Sequence, residues 1–157
     1  MKTKILLFVL AGSFLAFQGC KEDEGTTTAP ATTKTKTELL TLSPWILTGL
    51  TVNPGIDDGD GNIITDFYAE SDACDNDDEE VFKADGTGSY NEGATKCDPN
   101  DEQELGTFMW SFNTGQTILT QDGDPLTLSE LTASKMMQTE IYTEDGVTYT
   151  FTYTYTH

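Results

Sequence analysis

The sequence contains no arginine. Its positive charge rests on eight lysines, set against 27 acidic residues, for a formal net of −19 over 157 residues. Phosphate recognition favours a guanidinium fork, and a polyanion is repelled by so acidic a surface. Nucleic acid and anionic headgroups are therefore poor partners, whereas cations and basic proteins are electrostatically compatible ones. Histidine is nearly absent too: the one copy is His157, the last residue. A catalytic base must be held in place, and a chain end seldom holds one, so no Ser–His–Asp or Cys–His set can be assembled. There is no Cys-x-x-Cys pair with a nearby histidine for zinc, and no glycine loop of the phosphate-cradling kind. Acidic residues abound, but no pattern selects two of them as a hydrolytic pair, and solvated loops account for them. The expectation is a protein that is not an enzyme and needs no cofactor. A second long apolar run is also missing, so no helix beyond the N-terminus is expected to cross a membrane.

What the sequence does have begins at its start. Lys2 and Lys4 precede an apolar run from Ile5 to Phe17, closed by Gly19-Cys20. A basic start, a short apolar stretch and a small residue form the three-part layout of an export signal, too short for a stable spanning helix. A cysteine directly after the small residue resembles the lipoprotein signal of bacteria. That resemblance implies cleavage before Cys20 and acylation of its thiol, with 1–19 as the signal peptide. Phe17 and Gln18 depart from the aliphatic and small residues usual before the cleavage site. Lys21-Glu22-Asp23-Glu24 resembles the surface-export tag of Bacteroidota-type lipoproteins. The implied location is the outer membrane, lipid-anchored and exposed at the cell surface, with the periplasmic face as the alternative. Two or three acyl chains, at about 0.8 kcal/mol per buried methylene, would make the anchoring effectively permanent. Without Lys2 and Lys4 the remaining chain carries six lysines against 27 acids, a net of −21.

Residues 20–38 follow as the lipidated cysteine and a linker rich in Thr, Lys and acid, with too little apolar surface to order itself. From Leu39 the signals are those of strands. Pro44 to Val52 is a β-rich run stopped by Asn53-Pro54-Gly55, and Asp85-Gly86 marks a hairpin between Glu79–Ala84 and Thr87–Tyr90. Further strands are expected over Leu105–Asn113, Gln116–Gln121, Leu126–Leu131 and Lys135–Thr143. The last, Val147–Thr156, alternates Val147, Tyr149, Phe151, Tyr153 and Tyr155 with five threonines. Strict period two buries one face and wets the other. Ile64 to Ser71 has the spacing of one or two helical turns. About eight short strands joined mostly by tight turns predict an antiparallel meander, all-β, which can remove its open edges by closing into an eight-stranded barrel. A barrel of that size is filled by side chains or holds one small ligand.

The order of landmarks is Trp45, then Cys74 ahead of an acidic run and Phe82-x-x-Asp85-Gly86, then Cys97, then Gly106-x-x-x-Trp110. This is similar to the small lipocalin-like domains of bacterial surface lipoproteins, over residues 39–157. The Gly-to-Trp spacing is longer than the family's usual one. The resemblance implies a compact barrel and no particular activity.

Cys74 and Cys97 are two thiols in an exported domain, with Cys20 assigned to lipid, so a structural disulfide is expected. Asp58, Asp60 and Asn62 match the first ligand positions of a calcium loop, but Ile63 stands where its glycine should be and Ala69 where its glutamate should be. An Asx turn explains that loop, and the acidic run Asp75–Glu80 is the other weak calcium candidate. If a small apolar ligand enters the barrel, Trp45, Phe108, Trp110, Phe112, Tyr149, Phe151 and Tyr153 are the side chains expected to line or pack the lumen. The alternative is a filled barrel that shows acidic loops to a protein partner, as an adhesin, assembly component or inhibitor would. An open lumen of several hundred cubic ångströms would favour the first of these.

Overall fold

A computed structural model of the chain describes residues 33–157. The expected signal peptide, Cys20 and the first part of the expected linker lie outside the described residues. The described chain runs α1 (Lys36–Leu40), β1 (Trp45–Asp57), β2 (Ile63–Asp66), β3 (Glu79–Phe82), β4 (Thr87–Asn91), β5 (Glu104–Phe112), β6 (Ile118–Gln121), β7 (Asp124–Leu131), β8 (Lys135–Glu144) and β9 (Val147–Thr156). Strands β3 to β9 pair in sequence order, all antiparallel, and β1 pairs with both β3 and β9. The result is a closed eight-stranded antiparallel barrel with one extra strand, β2, alongside the outer half of β1.

The turns are those the sequence marks. Asp122-Gly123 and Asp145-Gly146 place both central residues at positive φ, as two-residue hairpins require. Three hairpin turns, β3–β4, β5–β6 and β7–β8, lie at one end of the barrel, the base. The β6–β7 and β8–β9 turns and the long connections lie at the other end, the mouth. The seam between β1 and β3 is thin, with two residue pairs, Trp45 with Glu80 and Ile46 with Glu79.

The folded unit begins earlier than Leu39. Thr35 caps α1: its hydroxyl accepts from the Glu38 amide at 3.2 Å, and the Glu38 carboxylate accepts from the Thr35 amide at 2.7 Å. This reciprocal cap satisfies two otherwise orphaned donors. It also holds the Glu38 carboxyl below its usual range. The helix delivers Leu40, fully buried, to the base. Lys36 donates to the Gln116 carbonyl in the β5–β6 turn and fastens the helix there.

Two sequence expectations change. The first strand does not stop at Asn53-Pro54-Gly55 but runs through it. Pairing with β9 ends at Asn53, and pairing with β2 skips from Thr51 to Ile56, so neither neighbour asks Pro54 for the amide hydrogen it lacks. A Cβ at Gly55 would lie 2.5 Å from the Ile63 side chain, so the glycine lets β2 approach. Ile64 to Ser71 is not helical: its first residues form β2, and turns follow. Pairing Ile64 with Ile56 on β1 overrides the weak helical spacing.

The core fills the base. Leu40, Trp45, Leu119 and Met136 are fully buried, joined by Phe82, Phe108, Trp110, Leu128 and Tyr155. Phe82 meets Phe108 edge-on at 5.1 Å and Trp110 at 5.9 Å. The Trp110 indole donates to the carbonyls of Lys83 and Thr87, both at 3.0 Å, which ties the β3–β4 turn to β5. Opposite Phe108 on β4 stands Gly88, where a Cβ would lie 2.2 Å from the phenyl ring. Among the described residues no helix is long and apolar enough to cross a membrane.

Candidate functional site

Above the packed aromatic floor the lumen turns polar. Glu80 sits two residues from Phe82 on β3 and so points to the same inward face. By the same parity Gln121 follows Leu119 on β6, and Gln138 and Glu140 follow Met136 on β8. Tyr90 enters from β4, and Tyr153 and Tyr155 from β9. The Tyr155 hydroxyl donates to one Glu80 oxygen at 3.0 Å, and the Gln121 amide lies 3.5 Å from the other. That amide also donates to the Tyr90 hydroxyl at 2.7 Å. Beside this group the Tyr153 hydroxyl donates to Glu140 at 2.9 Å.

Two cavities share this lining. One of about 190 Å³ is bordered by Glu80, Tyr90, Gln121, Asp124, Glu140 and Tyr153, among others. The second, about 380 Å³, shares Glu80, Tyr90 and Tyr155 and adds Leu47, Leu105, Asp75, Asp78 and Glu79. It lies by the thin β1–β3 seam. Its acidic rim comes from the connection between β2 and β3, which a Cys74–Cys97 disulfide staples to the connection between β4 and β5. The same two connections are laced by Asp77, whose carboxylate accepts from the Thr95 hydroxyl at 2.6 Å and amide at 3.0 Å.

The electrostatics follow from enclosure. Glu80 keeps some exposed area because it opens into the cavities, yet protein surrounds it on nearly every side. Burial pushes its carboxyl above the ordinary value of about 4.5, against the opposing effect of the Tyr155 and Gln121 hydrogen bonds. Burial, then the Glu80 charge, also raises Tyr155 and Tyr90. Asp78 at the rim is raised by burial and by its neighbours Asp75 and Asp77. A carboxyl with a raised folded value stabilises the fold only while protonated. Stability therefore falls as pH rises from about 4.5 through the folded value of Glu80, and the loss persists above it. We expect Glu80→Gln, which cannot ionise, to lack this decline, so that it gains on the wild type as pH rises from about 4.5 into the neutral range. Urea denaturation of both proteins across that range measures it; parallel curves would contradict the assignment.

The residues expected to line a lumen separate into three groups. Trp45, Phe108 and Trp110 are core, and Phe112 and Tyr153 pack against it. Of the seven, only Tyr153 borders the mouth cavities. Tyr149 and Phe151 stand further up β9, where Tyr149 faces Tyr142 and Phe151 pairs with Val52 and packs 6.2 Å from Phe67. The aromatic file is longer than the lumen, so its two ends serve different surroundings. Sequence reasoning misses Glu80, Tyr90, Gln121, Gln138 and Glu140. For four of them the signal is present in the chain: polar residues at inward parity, counted in twos from Phe82, Leu119 or Met136.

The Asp58 loop is a turn. Asp58 accepts from the amides of Asp60 and Asn62 and from the Asn62 side chain, which hold its carboxyl below the usual range. Among the described residues, the one group of three acidic, thiol or imidazole donors that converges to a cation-sized space is Cys74, Asp75 and Cys97. Its two sulfurs are bonded to each other. Neither Asp58 and Asp60 nor the carboxylates of Asp77 to Glu80 belong to such a group. His157 lies at the base, its ring 3.9 Å from that of Trp45 and tilted against it, with Nδ1 2.6 Å from the Ser43 hydroxyl and 2.7 Å from the Pro44 carbonyl. No family model matches this chain, and no curated protein sequence matches it either.

Proposed function

We propose that this chain is a lipid-anchored surface lipoprotein of the bacterial outer membrane whose barrel binds a small molecule at its mouth. The anchor rests on the Lys2–Cys20 pattern. The binding role rests on one observation: the lumen is packed solid at the base and opens above Phe82 and Leu119 into two adjoining cavities of about 190 and 380 Å³. A filled barrel working only through its outer loops would have no use for that space, and the larger cavity, with its apolar walls and a few carboxyls, has the size and character usual for a ligand site. The role proposed is binding, not catalysis. A wholly apolar occupant, the expectation from the aromatic strands, fits the smaller cavity poorly, because those aromatics are spent on the core and its walls carry carboxyls, an amide and phenols. The larger cavity offers mostly apolar surface, with Leu47 and Leu105. The ligand proposed is therefore one with an apolar body and polar groups of its own.

The test is amide-resolved NMR of the folded domain against a library of small polar and apolar molecules. Binders are expected to shift Glu80, Tyr90, Gln121, Tyr153 and Tyr155 together. Shifts confined to the outer loops, or none with any compound, would overturn the mouth as a ligand site.

A further inference from the structure

We infer that the mouth pocket takes a small organic cation, an aliphatic primary amine, anchored by Glu80; this rests on reading the mouth as a ligand site. Six carboxyls border the two cavities: Asp75, Asp78, Glu79, Glu80, Asp124 and Glu140. Among the described residues no lysine lines either one. Among the described residues the one ion pair joins Lys135 to Glu130, on strands β8 and β7, and neither residue borders the cavities. Glu80, surrounded by protein on nearly every side, has only neutral hydrogen-bond partners, Tyr155 and Gln121. A buried carboxyl without a counter-charge is costly to ionise, and a bound cation removes that cost.

The lumen is also short of donors. Gln138 lies on the inward face of β8 between Met136 and Glu140, fully buried, and its side-chain oxygen has no hydrogen-bond partner. Gln138 borders neither cavity, but the cavities' own lining has the same bias: it carries six carboxyls and, among the described residues, no lysine, so the molecule that suits it brings N–H groups and positive charge. An anion would be repelled, and a neutral apolar molecule would leave these acceptors unmet.

A metal ion does not suit the spacing. Glu80, Asp124 and Glu140 do not form a convergent donor group, whereas an ion needs its ligands around one point. The rest of the lining suits a carbon stem. Leu47, Leu105 and Leu126 offer apolar walls, and the rings of Tyr90, Tyr153 and Tyr155 offer faces that attract an alkylammonium group.

A chain-matched series tests this: pentylamine, cadaverine, pentanol and pentanoate, titrated into the folded domain by calorimetry and NMR. The amines are expected to bind at least about tenfold more tightly than the alcohol, with no binding of the carboxylate. Glu80→Gln should reduce that preference to about threefold or less while the NMR spectrum stays folded. At a pH where the free protein still holds the Glu80 proton, the amines should displace it, so that the heat changes with the ionisation enthalpy of the buffer. If pentanol or pentanoate binds as well as the amines, or if Glu80→Gln keeps the full preference, the amine assignment fails while the mouth remains a ligand site. The amine assignment fails in the same way if none of the four binds but library compounds of another class do. Silence from the series and the library together removes both readings.

Discussion

Replacing Trp45 with alanine is expected to cost about 3–5 kcal/mol of unfolding free energy, a large share of the roughly 5–15 kcal/mol typical of a domain. The indole is fully buried at the base, where it packs beneath Leu40 and against His157. Its Nε1 donates to the Leu40 carbonyl at 2.8 Å. Truncation therefore does two things. It opens a large void in the densest part of the core, and it strands the carbonyl at the end of α1. Trp45→Phe separates them in part, because it keeps a six-membered ring but removes the donor together with part of the indole; about 1–3 kcal/mol is expected for that change. Urea denaturation followed by the fluorescence of Trp110 reports both. Equal losses in the two variants would mean that the part both lack, the donor and the outer portion of the indole, dominates.

The second large effect is expected at the staple. Cys74 and Cys97 are 23 residues apart, and closing a loop of that length stabilises a fold by roughly 3 kcal/mol on chain-entropy grounds. We expect the double variant Cys74→Ala/Cys97→Ala to lose about that much, and wild type to fall to the same level when reductant is added. The double variant avoids leaving a lone reactive thiol. The effect should also be local in its consequences, since the staple fixes the connection that carries Asp75 and Asp78 to the rim of the larger cavity. Faster hydrogen exchange over residues 72–78, with β6 to β8 unchanged, would show this. A loss well under about 1 kcal/mol would assign the clamp instead to the Asp77–Thr95 and Asp78–Gly93 hydrogen bonds, which both proteins keep.

Much of the barrel can be read in the residues, for identifiable reasons. Asp-Gly pairs at 85–86, 122–123 and 145–146 carry their own backbone preference, so hairpins are visible before any partner is known. The threonine–aromatic alternation of β9 is a purely local pattern, and the pairing of Cys74 with Cys97 follows from the expectation of export. What cannot be read depends on neighbours. Strand β2 exists because Ile64 finds Ile56, and β1 survives Pro54 because no partner needs an amide there. Helix α1 escapes a reading by periodicity although Thr35-Lys36-Thr37-Glu38 spells its cap, since five residues are too short a stretch for a period to register. The site is the least visible part. Aromatic residues stand out as ligand contacts, yet in a barrel this narrow they are consumed by packing, and the vacant space falls to the polar residues one layer above.

One irregularity decides whether this arrangement is possible. Pairing between β1 and β9 shifts at Leu47–Gly49, so Thr48 has no opposite number. Trp45 and Leu47 are odd-numbered, Leu50 and Val52 even, and yet Leu47, Leu50 and Val52 stand opposite Tyr155, Tyr153 and Phe151 of a single aromatic file. A one-residue slip in a strand reverses every side chain beyond it. The unmatched threonine supplies that reversal once, and so lets one ribbon serve the sealed foot of the cylinder and its flared upper wall alike. A chain shortened by this single residue would have to turn either its tryptophan or its valine out into water.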